Sequence, residues 1–397
     1  MDIEPARPFP LPAGTSACVE IDLGAIRDNV AELKRRAGSA EVMAVVKADG
    51  YGHGAVDSAR AALSGGATWL GVAQLAEALE VRAAGIDAPI LTWLYVPGAD
   101  IEAALRADID VTVSATWALD AVLAAAESTG RNARVHLKVD TGLSRNGAVG
   151  QDWTDLVVAA AEAEADEAVD VVGVWSHFVH ADEPQHPTVR AQQSRFEDAL
   201  RDLDRAGIRP QLRHLANSAA TLTNPAVHCD LVRPGLAVYG LSPTPQLGGS
   251  TAYGLREAMR VTSALALVKR VPAGTGVSYG HQYTTDRDTV LGLVPMGYSD
   301  GIPRNATNVG PVQVGEHRET VSGRVCMDQF VVDLGPSYSG AAGDPVVVFG
   351  READGEPTAQ DWAAATGTIN YEIVTRMSAR LPRVLLGMAA GPVGAVG

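Results

Sequence analysis

Residues 41–73 read EVMAVVKADGYGHGAVDSARAALSGGATWLGVA. The β-branched run EVMAVV is closed by Lys47 and a small-residue turn. A stretch with helical periodicity follows, HGAVDSARAALSGG, and a second apolar run, TWLGVA, begins after its two glycines. Strand, helix, strand in about thirty residues is the unit from which parallel sheets are assembled.

The alternation runs on to about residue 240. Six more strand candidates, PILTWLY, IDVTVS, RVHLKVD, VVGVWSH, QLRHLA and DLVRPG, bring the count to eight. Between them lie helical stretches such as QLAEALEVRAAG, ATWALDAVLAAAEST and TVRAQQSRFEDALRDLDRAG, with glycine closing helices at Gly85, Gly130 and Gly207. Eight strands with polar residues at strand ends all along the series predict an α/β fold of the (β/α)8 TIM-like barrel type. An open doubly wound sheet would gather those residues near one switch point. The earlier strand VEIDL, residues 19–23, precedes the helix AIRDNVAELKRRAG and is expected to join a second domain. After about residue 255 helical periodicity fades. Strands VTSALALVKRV, TVLGLVPMG, RETVSGRVCM, FVVDLG and DPVVVFG predict a mostly β C-terminal domain with one helix, TAQDWAAATG. The expected plan is an extended or disordered arm over 1–16, a barrel over 17–254 and a β-rich domain over 255–397.

The formal net charge of −15 argues against a phosphate-backbone binder, because the longest basic run is only Lys34-Arg35-Arg36 on a helix face. Three scattered cysteines, Cys18, Cys229 and Cys326, form neither a disulfide framework nor a zinc pattern and fit a reducing compartment. The prolines of MDIEPARPFPLPAGTSA stand where a signal peptide would carry an apolar helix, and VLLGMAAGPVGAVG is too short to span a bilayer. A cytoplasmic protein with neither nucleic-acid nor membrane partners is expected.

Lys47, read alone, is the first solvated residue after a strand. At the C-terminal end of the first barrel strand it is also a nucleophile candidate, since burial near other cations lowers a lysine pKa. Tyr51, Gly52 and Gly54 supply a small-residue loop with a phenol, useful beside a phosphate. Lys138 in HLKVDTGLSRNG should point into the barrel or its mouth, where a free ammonium is costly, so it needs a partner or a modification. Asp140 either caps that strand or ties down the turn, and Arg145 follows in the same loop. His177 is either a satisfied core residue or a platform against a flat aromatic ring. A metal site built from His177, His180, Asp182, His186 and His214 is not supported by the spacing, and no metal is expected. Asn217 and Ser218 open a helix after the seventh strand as N-cap candidates. With Gly235 and Leu236 after the eighth strand, they also stand where barrels recurrently hold phosphate. Arg233 is either an ion-pair partner or a fixed donor against a ring nitrogen. Tyr279, Tyr298, Met327, Asp328 and Tyr371 in the β domain carry no functional signal on their own.

In order and with compatible spacings, AVVKADGYGHG, HLKVDTGLSRNG, HLANSAA, VRPGLAVYG, VSYGHQYT, GYSDG, GRVCMDQ and TINYEIV resemble the alanine racemase family. The resemblance covers nearly the whole chain from VEIDL to PRV and excludes the arm before Thr15. It implies a head-to-tail homodimer that interconverts L- and D-alanine with pyridoxal 5'-phosphate, supplying D-alanine for peptidoglycan. It implies that Lys47 holds the cofactor as a Schiff base, that Tyr51, Ser218, Gly235, Leu236 and Tyr371 surround its phosphate, and that Asn217 also belongs to the cofactor-binding set. His177 would pack near the ring and Arg233 would face the pyridine nitrogen. Arg145 would approach the phenolic oxygen, held by Lys138, whose matching family position is often carbamylated. Tyr279 would reach the partner's site as the second base opposite Lys47. Tyr298 and Met327 would line the substrate-carboxylate side, with Asp328 behind them. A same-fold racemase of serine, lysine or several amino acids is the nearest alternative. A related barrel decarboxylase would be expected to carry a more glycine-rich loop where this chain has ANSAATL. A cofactor-carrying barrel without activity would not need the β domain and its tyrosines.

Overall fold

The structure, a computed structural model, describes residues 11–387. The chain divides into two compact units, residues 26–255 and residues 1–25 with 256–397. Strand β1 (Ala17–Asp22) belongs to the second of these. Residues 1–10 of the expected arm lie outside the described residues. Just after them Thr15 closes a turn, its N–H and hydroxyl both donating to the Pro12 carbonyl.

In the first unit eight parallel strands follow one another: β2 (Glu41–Val45), β3 (Trp69–Val72), β4 (Ile90–Thr92), β5 (Asp110–Val113), β6 (Ala133–Lys138), β7 (Val169–Trp175), β8 (Leu212–His214) and β9 (Leu231–Val232). Their order is β8-β7-β6-β5-β4-β3-β2-β9. The seam between β8 and β9 is joined by Asp230 N–H to Arg213 O (3.0 Å) and Arg233 N–H to Ala216 O (2.9 Å), so the sheet closes into the expected barrel. The strands are buried on both faces, which is why they read as apolar runs rather than as alternations. Met43, Trp69, Leu91, Val172, Leu212 and Leu231, from six different strands, meet in one cluster. Residues on strands so far apart in the sheet can touch only across the barrel interior.

Helices separate the strands, the longest being Pro187–Arg205. Helix Thr116–Thr129 ends on Gly130 with φ +64°, a left-handed cap that glycine adopts without a Cβ clash.

The second unit holds β10 (Met259–Ala264), β11 (Leu267–Val271), β12 (Gly276–Val277), β13 (Tyr283–Thr284), β14 (Thr289–Val294), β15 (Pro311–Val314), β16 (His317–Thr320), β17 (Phe330–Asp333), β18 (Pro345–Phe349) and β19 (Arg383–Leu386). A six-stranded sheet runs β16-β15-β18-β10-β1-β19 and a three-stranded one runs β11-β14-β17. The single strand expected over VTSALALVKRV is two, β10 and β11, in different sheets. Two helices occur near the C-terminus rather than one. Ala359–Thr366 is joined by Asn370–Thr375, whose six residues are too few to show a period. No helix among the described residues is long and apolar enough to cross a membrane.

Gly173 on β7 shows how closely the barrel interior is fitted. A Cβ there would collide with the imidazole of His136 on β6. Gly173→Ala is expected to cost about 1–3 kcal/mol, seen in calorimetry as a fall of a few degrees in the barrel transition. An unchanged melting temperature would show that His136 has room to move.

Candidate functional site

Every barrel strand ends on the same side of the unit, and there the backbone does something unusual. After β2 the chain does not turn into a right-handed helix. Ala48, Asp49, Gly50 and Tyr51 have φ between +52° and +59° and ψ between +37° and +50°, one left-handed turn spanning Lys47–Gly52. Gly50 adopts this freely, but Ala48, Asp49 and Tyr51 each cost about 1–2 kcal/mol. The surroundings hold the turn in place. His53 Nδ1 lies 2.9 Å from the Gly50 carbonyl and 3.0 Å from that of Tyr51. Ala48 N–H donates to Glu77 Oε1 (2.6 Å), and Asp49 Oδ1 accepts the Ala55 N–H (2.9 Å). Strain kept at a strand end in a barrel mouth marks a site under functional constraint. The expected small-residue loop at Tyr51, Gly52 and Gly54 is therefore a wound and clipped segment.

The turn leaves Lys47 half-buried and sends Tyr51 inward, its ring 5.0 Å from that of Tyr239. Burial, and then Arg145, lower the Lys47 pKa, with Glu77 opposing them. Gly235, just after the neighbouring strand β9, meets Tyr51, and a Cβ there would collide with the Tyr51 hydroxyl. The Gly235 N–H donates to Ser218 Oγ (2.9 Å), and that of Ala237 points to the same oxygen (3.3 Å). Asn217 is the cap of helix Ser218–Thr223, its Oδ1 accepting the Ala220 N–H (3.1 Å), and Leu236 is buried beside it. Lys47, Tyr51, Asn217, Ser218, Gly235 and Leu236 thus come from the ends of three strands to one rim.

Below them lies a concentration of positive charge. Lys138, the last residue of β6, is buried, has no ion pair among the described residues, and stands 4.0 Å over the ring of Trp175. Its pKa is pushed down to about 7, by burial first and then by Arg233 and Arg145, against a weaker pull from Asp140. Asp140 ties the turn, accepting the N–H groups of Gly142 (2.8 Å) and Ser144 (3.2 Å). Arg145 is exposed, and as an unmodified pair it and Lys138 repel rather than hold each other. Arg233 also lies over the Trp175 ring, 4.7 Å from its centre, and its Nη2 donates to the Ser176 carbonyl (2.8 Å). Burial lowers even this guanidinium to about 9. His177 lies 3.4 Å from Arg233 and is held well below its ordinary pKa by burial and by the surrounding cations. A pocket with four cations and a neutral imidazole suits an anionic, flat ligand.

Sequence reading passed over Glu77, His53, Trp93, Trp175, Asp110 and His136. Glu77 had a local signal, three residues after Gln74, whose N–H it accepts (2.8 Å). His53 follows the turn and Trp93 follows β4, while Asp110, His136 and Trp175 show only as polar or bulky residues on strands, whose inward face one sequence does not identify.

In the second unit Tyr279 is 71% exposed, in a short turn opened by Ser278 at φ +60°. It lines a cleft of about 410 Å³ with Cys326 and Phe330. Tyr298 and Met327 are also exposed, and their loops are joined by Tyr298 N–H to Cys326 O (3.0 Å). Gly297 permits this, since a Cβ there would strike the carbonyls of Cys326 and Met327. Asp328 takes bonds from Arg380 (2.7 Å) and Ser299 (3.1 Å), which hold its carboxyl below the usual range. Tyr371 is half-buried on helix Asn370–Thr375. No cluster among the described residues is built to hold a metal ion.

Lys138 gives a pH signature. Between pH 7 and 10.5 the unfolded chain keeps this proton and the folded chain has released it, so this group makes stability rise with pH through that window. Lys138→Met is expected to be more stable than the parent at pH 7 in carbonate-free buffer, with the advantage gone above about pH 10.5. A difference that stays constant across a urea-titration series at several pH values would refute the buried-cation reading.

Residues 21–243 match the family described as alanine racemase, N-terminal domain, and residues 258–385 that described as alanine racemase, C-terminal domain. The alanine racemase of Frankia casuarinae is 59% identical over 374 residues, covering 94% of this chain and 97% of that protein. That of Streptomyces coelicolor is 54% identical over 373 residues, 93% and 95% of the two chains. Among solved structures, alanine racemase from the D-cycloserine-producing Streptomyces lavendulae superposes with a TM-score of 0.93 at 55% identity, over 95% of this chain and 99% of that one. The Clostridium difficile enzyme gives 0.87 at 33% identity, over 94% and 97%.

Proposed function

This chain belongs to the alanine racemase family of isomerases, and we propose that it interconverts L- and D-alanine using pyridoxal 5'-phosphate bound at the barrel mouth. One arrangement carries the reading. A lysine of lowered pKa stands on a strained turn beside a cradle kept open by a glycine, near cations with no ion-paired carboxylate among the described residues. A phosphorylated aromatic aldehyde fits each part. Lys47 would hold its carbonyl carbon. Tyr51, Asn217, Ser218, Gly235 and Leu236 would surround the phosphate, joined by Tyr371. His177 and Arg233 would hold the ring. When bound, the cofactor supplies an electron sink that makes the α-proton of the amino acid removable.

The chain's own residues then divide the proton work. Lys47 takes or returns the proton on one face of the α-carbon. The partner subunit's Tyr279 serves the opposite face in a homodimer with shared sites. Its exposure supports that role, because a packing tyrosine would be buried. Arg233 would offer the pyridine nitrogen a hydrogen-bond donor and not a transferable proton, which would restrain side reactions. Lys138 has an appreciable neutral fraction at pH 7 and can add carbon dioxide; the resulting carbamate would turn repulsion by Arg145 into attraction. Arg145 would then be free to approach the phenolic oxygen, and Tyr298 and Met327, with Asp328 behind them, would line the substrate-carboxylate side of the site shared across the homodimer. The product D-alanine would serve peptidoglycan synthesis in the cytoplasm.

Circular dichroism of L-alanine, and separately of D-alanine, incubated with the holoenzyme should decay to zero from both directions. A clear preference for serine or lysine would sink the alanine assignment, and carbon dioxide release without inversion would favour decarboxylation. Lys47→Ala should lose both the absorbance near about 420 nm and activity. Tyr279→Phe should slow α-hydrogen exchange of one enantiomer far more than the other, and equal losses would count against two opposed bases.

A further inference from the structure

The interior of a barrel is normally filled with branched apolar side chains. Here a row of polar groups crosses it. Arg134, His136 and Lys138 alternate along β6 onto one face, and the middle member takes part in a chain of contacts. Asp110 Oδ2, at the start of β5, lies 3.3 Å from His136 Nε2. His136 Nδ1 lies 2.9 Å from His214 Nε2, and His214 Nδ1 lies 3.4 Å from Arg233 Nη1. All four residues are buried. Gly173 makes the space for the first imidazole, and Trp175 lies parallel to the second, 5.7 Å between ring centres.

The two ends settle where the protons are. A guanidinium only donates, so His214 Nδ1 must accept and its Nε2 carries hydrogen. That hydrogen goes to His136 Nδ1, leaving the His136 hydrogen on Nε2, facing Asp110. A carboxylate only accepts, so working back from Asp110 gives the same assignment. One arrangement of protons satisfies every bond, and it runs in one direction. The other end of Asp110 is anchored by Arg134 Nε, 2.9 Å from Oδ1, at the opposite rim.

We propose that Asp110 and His136 are positioning residues for the reaction: through His214 they fix Arg233 as an oriented, charged donor at the cofactor ring. Arg233 has no ion pair among the described residues, so Asp110 acts as its counter-ion at one remove, conveyed by two neutral rings. Without the relay His214 is free to turn a hydrogen toward the guanidinium and displace it. The role of Arg233 at the ring rests on the function proposed above; the relay itself does not.

Two experiments separate these. In the full chain labelled at histidine nitrogen and free of cofactor, NMR should show both His136 and His214 as Nε2–H tautomers. Hydrogen on Nδ1 of either overturns the relay whatever the cofactor reading. In the holoenzyme the readout is the ratio of pyruvate formed to alanine racemised. In that side reaction the α-proton is delivered to the carbonyl-derived carbon of the cofactor and water cleaves the C=N bond. Alanine leaves as pyruvate, its amino group and two electrons staying on the cofactor. His136→Leu should raise the ratio about tenfold or more, with KM little changed, by loosening the ring donor. His136→Gln, able to accept from His214 and donate to Asp110, should restore it. A merely structural role would slow both reactions alike, and an unchanged ratio in soluble His136→Leu would overturn the proposal. Absence of a cofactor band in the parent protein would instead refute the cofactor reading and leave the tautomer result standing.

Discussion

Lys47, Lys138, Arg145 and Arg233 converge on one end of a closed barrel, and none of them has an ion-paired carboxylate among the described residues. Bringing like charges together away from water is expensive, and the expense is visible in the lowered pKa of Lys138 and of Arg233 itself. Much around the site answers that cost. The Trp175 indole presents its faces to two of the cations, and the Ser176 carbonyl takes a guanidinium hydrogen. His177 stays neutral, and Asp110 acts from a distance. What these devices leave unmet is a demand for an anion.

The barrel was legible because its strands are buried on both faces and end abruptly at polar residues. EVMAVVK and RVHLKVD each announce a strand and the position where its chemistry begins. The mouth was legible in part for the same reason: Lys47, Lys138, His177 and Arg233 all stand at or just beyond a strand end. The left-handed turn was not, since Ala48 and Asp49 carry no preference for positive φ and the conformation is imposed by His53, Glu77 and Asp49 contacts. Asp110 and His136 were missed because facing inward is a property of the closed sheet. In the β unit VTSALALVKRV read as one strand, because apolar and β-branched residues continue straight through the bend at Leu265 where the chain changes sheets.

The two units differ in how they use glycine. In the barrel Gly173 and Gly235 make room for a side chain, the imidazole of His136 and the phenol of Tyr51. In the β unit Gly297 makes room for backbone, letting the Tyr298 and Met327 loops close on each other. Fitting a side chain fixes a chemical group, whereas fitting two loops fixes a surface. That division accords with a barrel that does the binding and a β unit that displays Tyr279, Tyr298 and Met327 outward.

Strand β1 pairs with β10 on one side, Val19 opposite Val261, and with β19 on the other, Val19 beside Arg383. Its neighbours therefore lie more than two hundred and more than three hundred residues further along the chain. During synthesis β1 must wait for both of these partners while the barrel residues emerge. The sheet becomes complete only when almost the last described residues arrive. Only then is the early strand captured, held between two segments made hundreds of residues after it.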